Sequence, residues 1–156
     1  MQVNYDVVDA DASHIEAIAR HVRQADVNEC WNALALPIRD ALAISLSGAT
    51  IARIGRAGGV PIVMYGVTEV DERKGQIWLV ATDMLHDHQK GFLRHSRLEL
   101  ADFQARYDRL ENHVDMRNKR AVRWLRWLGF EFDDAVRYGP MGKWFYPFWW
   151  SKELNQ

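Results

Sequence analysis

The chain has almost no cysteine, almost no net charge and no long apolar run, and each shortage narrows what it can be. Cys30 is the single cysteine among 156 residues, so no internal disulfide can form, which fits a reducing cytosol. Standing alone, it reads first as a small core residue. Lys and Arg number 20 against 21 Asp and Glu, a net charge of -1. That balance exerts no general pull on nucleic acid or anionic lipid, and neither nucleic acid nor a membrane is an expected partner. No apolar stretch nears the ~18 residues needed to span a bilayer. The start, "MQVNYDVVDAD", lacks the basic-then-apolar pattern of a signal peptide. Proline is scarce, and no linker, repeat or low-complexity tract marks a boundary, so residues 1–156 are expected to form a single domain.

What is abundant is aromatic: seven Trp, five Tyr and six Phe, enough for a dense core or a docking surface. The apolar periodicity orders the elements. "VNYDVV" alternates like a strand. "DASHIEAIARHVR" places Ser13 and Glu16 at capping-box spacing before the stripe Ile15, Ile18, Ala19 and Val22. A second helix follows Asp26 as its cap, with Val27, Cys30, Trp31 and Leu34 on one face. Pro37 opens a third, with Ile38, Ala41, Leu42 and Ser45 inward. Two β-rich runs joined at Ala57-Gly58-Gly59 read as a hairpin, and "IWLVAT" as a central strand buried on both faces. A polar segment, "DMLHDHQKG", leads into a long helix whose inner face is Phe92, Ser96, Leu100, Phe103 and Tyr107. "LENHVDM" is then a strand, "NKRAVRWLRWL" a helix and "EFDDAVRYGPMGKWFYPFWW" a closing hairpin. Helices interleaved with a mixed sheet make this an α/β domain. The unit from Ile77 to Met116 is a right-handed parallel crossover flanked by helices, with a ligand expected beyond the carboxyl ends of its strands.

The last third carries the most specific pattern. Asn118, then Ala121, then Leu128-Gly129-Phe130 closing the helix, resembles the GNAT fold of the Gcn5-related N-acetyltransferases. Ala121, Trp124, Leu125 and Leu128 form a core stripe, and Gly129 can take the left-handed conformation that ends a helix. The resemblance implies acetyl-CoA as cofactor and a small amine as acceptor. It implies that the backbone of Leu79, Val80, Ala81 and Thr82, with Asn118, holds the pantetheine arm. Asn118 as a plain helix cap is the competing reading. Two departures stand out. The loop that in the family cradles the pyrophosphate with two glycines is "HDHQKGFLR", with Gly91 alone, leaving His88, Lys90 or Arg94 to compensate. Position 125, where many members carry a Tyr acid, is Leu, which cannot transfer a proton. "WLVATDMLHDHQKGFLRHS", "NHVDMRN" and "KWFYPFW" narrow the resemblance to GNAT-like proteins of short-tailed phages, including small internal virion proteins. That implies the bacterial host cytoplasm or the virion as location, and an alternative, non-catalytic role in binding a phage or host protein.

Candidate catalytic groups are Asp83 and His86 near the end of the central strand, Glu69 at the end of the preceding one, and Tyr138 as a displaced acid. His86, Asp87 and His88 are a weak metal signal; Asp87 as a helix cap beside solvated histidines is the preferred reading, and no metal is expected. Lys119, Arg120, Arg123 and Arg126 make a solvated basic face. "KWFYPFWW" is apolar on both sides. It is either covered by the domain itself or exposed as an edge that a partner protein covers; Pro147 is compatible with an edge and argues against a fully hydrogen-bonded central strand.

Overall fold

A computed structural model describes residues 3–155 as one mixed sheet with helices on both faces. The strands are β1 (Tyr5–Asp9), β2 (Ile51–Ala57), β3 (Val60–Asp71), β4 (Lys74–Ala81), β5 (Arg109–Asp115), β6 (Glu131–Phe132), β7 (Val136–Tyr138) and β8 (Lys143–Ser151). Their order is β1-β2-β3-β4-β5-β8-β6, with β7 also paired to β8. Only β4 and β5 run parallel; the other pairs are antiparallel. The helices are α1 (Ile15–Arg20), α2 (Gln24–Leu34), α3 (Ile38–Gly48), α4 (Gln89–Arg106) and α5 (Lys119–Trp127).

The β alternation sorts the core into two layers. Ile54, Met64 and Val80 face α1 and α3, meeting Ile18, Ala19, Ile38 and Leu42. Val63, Tyr65, Val67, Ile77 and Leu110 face the other way, onto Phe92, Leu100 and Phe103 of α4 and Leu125 of α5. Gly58 and Gly59 carry the tight β2–β3 turn at positive φ, and Gly129 ends α5 at φ +97°, as its place after the apolar stripe implies.

Several local expectations are corrected. Asp26 does not cap α2: the helix starts at Gln24, and Asp26 lies buried inside the first turn. Ahead of α1, Asp11 caps a 3-10 turn over Ala12–His14, accepting from Ser13 and pairing reciprocally with His14; α1 itself has no side-chain cap, and Glu16 bonds Arg39 instead. Asp87 caps nothing, because residues Asp83–His88 form a 3-10 turn that runs directly into α4. Trp31 and Leu34 stay about half exposed on α2.

The aromatic β8 is interior, between β5 on one side and β6 and β7 on the other. Pro147 is tolerated there because its backbone faces a break. Its carbonyl accepts from Asp133, between the end of β6 at Phe132 and the start of β7 at Val136. The missing N–H therefore points where no ladder partner stands. Phe145 and Phe148 are buried, and of the strand's aromatic residues only Trp144 is exposed, with Arg137 over its ring.

Candidate active site

β4 and β5 pair only from Lys74↔Arg109 to Gln76↔Glu111 and then part. Asn112 stands at the fork: its Nδ2 donates to the carbonyl of Ile77 at 2.7 Å, while its Oδ1 accepts the next backbone N–H. A side-chain amide thus takes the place of the ladder bond that the diverging strands can no longer make. Past the fork the gap widens into a cavity of about 380 Å³ that reaches both faces of the sheet.

The first turns of α2 close the tips of this gap. Asp26 Oδ2 accepts the N–H of Ala81, at the end of β4, at 2.7 Å, and the Arg23 N–H donates to the carbonyl of the same residue. One turn on, Glu29 Oε1 accepts the N–H of Asp115, at the end of β5, at 2.9 Å. Asn118 Nδ2 joins the two carboxylates, donating to Asp26 Oδ1 at 3.1 Å and to Glu29 Oε1 at 3.3 Å. Asn118 therefore makes no side-chain cap on α5; its buried amide ties α2 to the strand tips. Arg23 grips Asp26 with both Nε and Nη2. Spacing explains the arrangement: Asp26 and Glu29 are i, i+3 on α2, so both carboxylates leave the same face of the helix.

The carboxylates are not equivalent. Desolvation pushes the Glu29 carboxyl up to about 8, helped by the charges of Asp26 and Asp115, although its bonds to Asp115 and Asn118 oppose the rise. Burial would also raise Asp115, yet bonds from Arg117 and Asn32 hold it below the usual carboxylate range. Cys30, beside Glu29, is pushed up to about 12 by burial and by those acids, so it stays a thiol and acts as packing.

On the α2 and α3 side the cavity is walled by Trp78, Tyr138, His113, Cys30, Leu34 and Ile44. Tyr138 stacks on His113 with ring centroids 4.0 Å apart, and burial lowers the His113 pKa. On the α4 and α5 side lie Leu79, Phe92, Ala121 and Trp124. Trp124 Nε1, buried in that wall, has no hydrogen-bond partner among the described residues; Trp78 Nε1 and His113 Nδ1 are likewise unpartnered there.

The expected site residues divide accordingly. Asn118, Leu79, Val80 and Tyr138 line the cavity. Strand alternation leaves only Leu79 presenting its peptide groups to the gap, since Ile77 and Ala81, two residues to either side, point there. Val80 pairs toward β3, and Thr82, fully buried, gives both N–H and Oγ1 to Ile62. Asp83 and His86 are exposed on the 3-10 turn, and neither lines the cavity. Glu69 pairs with Gly75 at the opposite end of β4 from Ala81 and is also outside it. His88 precedes α4, with Lys90 exposed in its first turn. Gly91, the lone glycine of the loop, is needed for packing: a Cβ there would lie 2.6 Å from the Cβ of Tyr5. Among the described residues no three His, Cys, Asp or Glu side chains converge as a metal site. Glu29 escaped the sequence reading. The Arg23, Asp26, Glu29 spacing was its one signal, and that signal looks like any polar helix face.

No family model and no curated protein matches the sequence. Solved structures do resemble it. An acetyltransferase of the GNAT family from Streptococcus pneumoniae superposes with TM-score 0.66 at 15% identity, covering 95% of this chain and 99% of that one. Spermidine N-acetyltransferase from Vibrio cholerae, in complex with CoA and spermine, gives 0.68 at 14% identity, covering 96% of each chain. Aminoglycoside N(6')-acetyltransferase from Legionella pneumophila gives 0.69 at 13% identity, covering 98% and 95%. At these identities the likeness is one of architecture: the chain has the α/β fold of the GNAT acetyltransferases.

Proposed function

We propose that the chain is an acetyl-CoA-dependent N-acetyltransferase for a small amine, with Glu29 as general base and Tyr138 as proton donor. One observation carries the reading: the cavity through the β4/β5 gap has at its throat a carboxyl whose pKa lies near 8. A base at that value is matched to taking a proton from an amine near neutral pH. Neighbours of the same fold that hold CoA with spermine, or act on aminoglycosides, support the reaction class.

The residues fit the coenzyme in charge and in hydrogen bonding. Leu79 offers its peptide to an extended amide-bearing arm, and Trp124 offers a buried indole N–H that no partner uses among the described residues. Lys90, Arg94 and Arg97 on α4 and Arg120 and Arg123 on α5 are surface cations that enter no ion pair among the described residues, suited to phosphates. The pairing cannot continue to Ala81, whose N–H and carbonyl are taken by Asp26 and Arg23.

Bound acetyl-CoA supplies the acyl thioester, whose C–S bond breaks as the amine nitrogen bonds the acyl carbon. Glu29 takes the ammonium proton that would otherwise block attack. Asn118 and the Asp115 N–H hold its carboxyl in place from one side. Tyr138, fixed against His113, returns a proton to the departing sulfur, the role that Leu125 cannot fill. Titration calorimetry with acetyl-CoA, followed by thiol release with added amines, tests the reading; no heat at millimolar ligand overturns it.

The competing role, protein binding through the aromatic C-terminus, has lost most of its surface to the domain's own sheet. The phage resemblance bears on setting, an infected bacterium's cytoplasm or the virion, which mass spectrometry of purified particles would decide.

A further inference from the structure

We infer that the acceptor is a small primary amine carried on an apolar, ring-bearing body, and not a polyamine or an aminoglycoside. The inference rests on the acetyltransferase reading and concerns the half of the cavity on the α2 and α3 side.

Charge comes first. A polycation bound in a pocket needs several carboxylates free to meet its ammonium groups. The acids near this mouth are already engaged. Asp26 is held by Arg23 and Asn118, Asp115 by Arg117 and Asn32, and Glu111 by Lys74 and Arg109. Among the described residues Glu29 is the one acid of this group without a cationic partner, and as the base its single carboxylate is used by the reacting ammonium. A second and third ammonium would therefore enter with nothing to offset their desolvation.

Shape and polarity point the same way. Around Glu29 the wall is Leu34, Ile44, Trp78, Tyr138 and His113, two aliphatic lips and three flat rings. Leu34 is 46% and Ile44 58% exposed, so the lips are apolar surface at the entrance that the fold itself does not cover. Rings prefer to meet rings in stacked or edge-on contact, and the wall supplies both an indole and a stacked imidazole–phenol pair. Among the described residues Trp78 Nε1–H and His113 Nδ1 have no partners, which leaves hydrogen-bonding capacity for one neutral polar substituent on such a body. The whole cavity, about 380 Å³, must also admit the end of the pantetheine arm, and that leaves room for about one ring and a short aminoalkyl chain. A multi-ring aminoglycoside exceeds it.

The step balances. The ammonium gives one proton to Glu29; the neutral nitrogen forms the amide bond; the thioester C–S bond breaks; and the proton shed by nitrogen reaches sulfur through Tyr138. No oxidant or metal is required.

The test compares phenethylamine, tyramine, spermine and kanamycin as acceptors in thiol release, with calorimetric binding of each amine to the protein without coenzyme and of acetyl-CoA alone. Phenethylamine or tyramine should exceed spermine in kcat/KM by about tenfold or more, and should bind the coenzyme-free protein where spermine and kanamycin give no heat. Leu34→Glu and Ile44→Glu, both at exposed positions, should weaken the aryl amines and move the preference toward spermine. Acetyl-CoA binding with turnover of spermine or kanamycin, and idle aryl amines, overturns the acceptor class and leaves the acetyltransferase reading standing. Absence of acetyl-CoA binding overturns both.

Discussion

Ala81 donates its N–H to Asp26 Oδ2 at 2.7 Å, so the last peptide of β4 is closed by a side chain from α2. The same carboxylate is held by Arg23 and Asn118 and is almost wholly buried. Asp26→Ala would leave a guanidinium, only 13% exposed, without its anion and a backbone N–H without an acceptor. Breaking a buried pair in this way costs about 3–5 kcal/mol. Urea unfolding should register that loss. The double change Arg23→Met with Asp26→Leu should recover part of it, because no orphaned charge remains. A loss from Asp26→Ala under about 1 kcal/mol, the worth of a surface pair, would mean that the network contributes little.

Glu29 makes both activity and stability depend on pH. Its carboxyl must be ionised to accept a proton, so kcat/KM should rise with pH to a plateau, with an apparent pKa near 8. Stability runs the other way. The folded chain retains a proton that the unfolded chain loses near 4.5, so Glu29 makes the fold less stable as pH rises from about 4.5 to about 8. Glu29→Gln keeps an acceptor for the Asp115 N–H but cannot titrate. It should remove the inflection, lower kcat by about 10²–10⁴, and melt higher than the parent above pH 8. An unshifted inflection in Glu29→Gln would place the base elsewhere.

These two predictions rest on groups that differed in legibility. The β4–α4–β5 crossover and α5 were readable because each has a clean period: Phe92, Leu100 and Phe103 along α4, and Ala121, Trp124, Leu125 and Leu128 along α5. Local spacing could not reveal that Asp26 and Glu29 turn inward. On the sequence both belong to a polar helix face, and what desolvates them is a strand tip 55 residues away for Asp26 and 86 for Glu29. Asn118 stood out as a pantetheine contact or a helix cap; it makes no side-chain cap, and its Nδ2 donates instead to the carboxylates of Asp26 and Glu29, charged acceptors that no local spacing announces. Pro147 argued against a fully hydrogen-bonded central strand, and β8 is interior yet interrupted there; that the neighbouring strand would be split into β6 and β7 had no local signal.

Tyr138 stacks face to face on His113 at 4.0 Å and meets Phe145 edge-on, so its ring is fixed while its phenol is carried into the cavity wall. Tyr138→Phe preserves both ring contacts and removes only the hydroxyl. If that hydroxyl protonates the leaving sulfur, kcat should fall by about 10²-fold with KM nearly unchanged. Activated thioesters with more acidic leaving thiols should be affected less. A rise in KM with kcat intact would instead assign Tyr138 to acceptor binding.

Arg97 lies over the Trp127 ring at 4.0 Å, which shows α4 and α5 running side by side with their cationic flanks adjoining. About two helical turns earlier on each face stand Lys90 and Arg120, so the pair should rim the groove at the helix starts, where phosphates are favoured. Neither enters an ion pair among the described residues, so the pair carries uncompensated charge in a chain whose total is -1. Lys90→Glu with Arg120→Glu should weaken acetyl-CoA binding by about 10- to 100-fold and flatten its salt dependence. S-acetylpantetheine, which has the arm but no phosphates, should bind the variant and the parent alike. Equal weakening of both ligands would show that the substitutions disturbed the gap itself, and no heat change for either would move the phosphate-binding surface away from these helices.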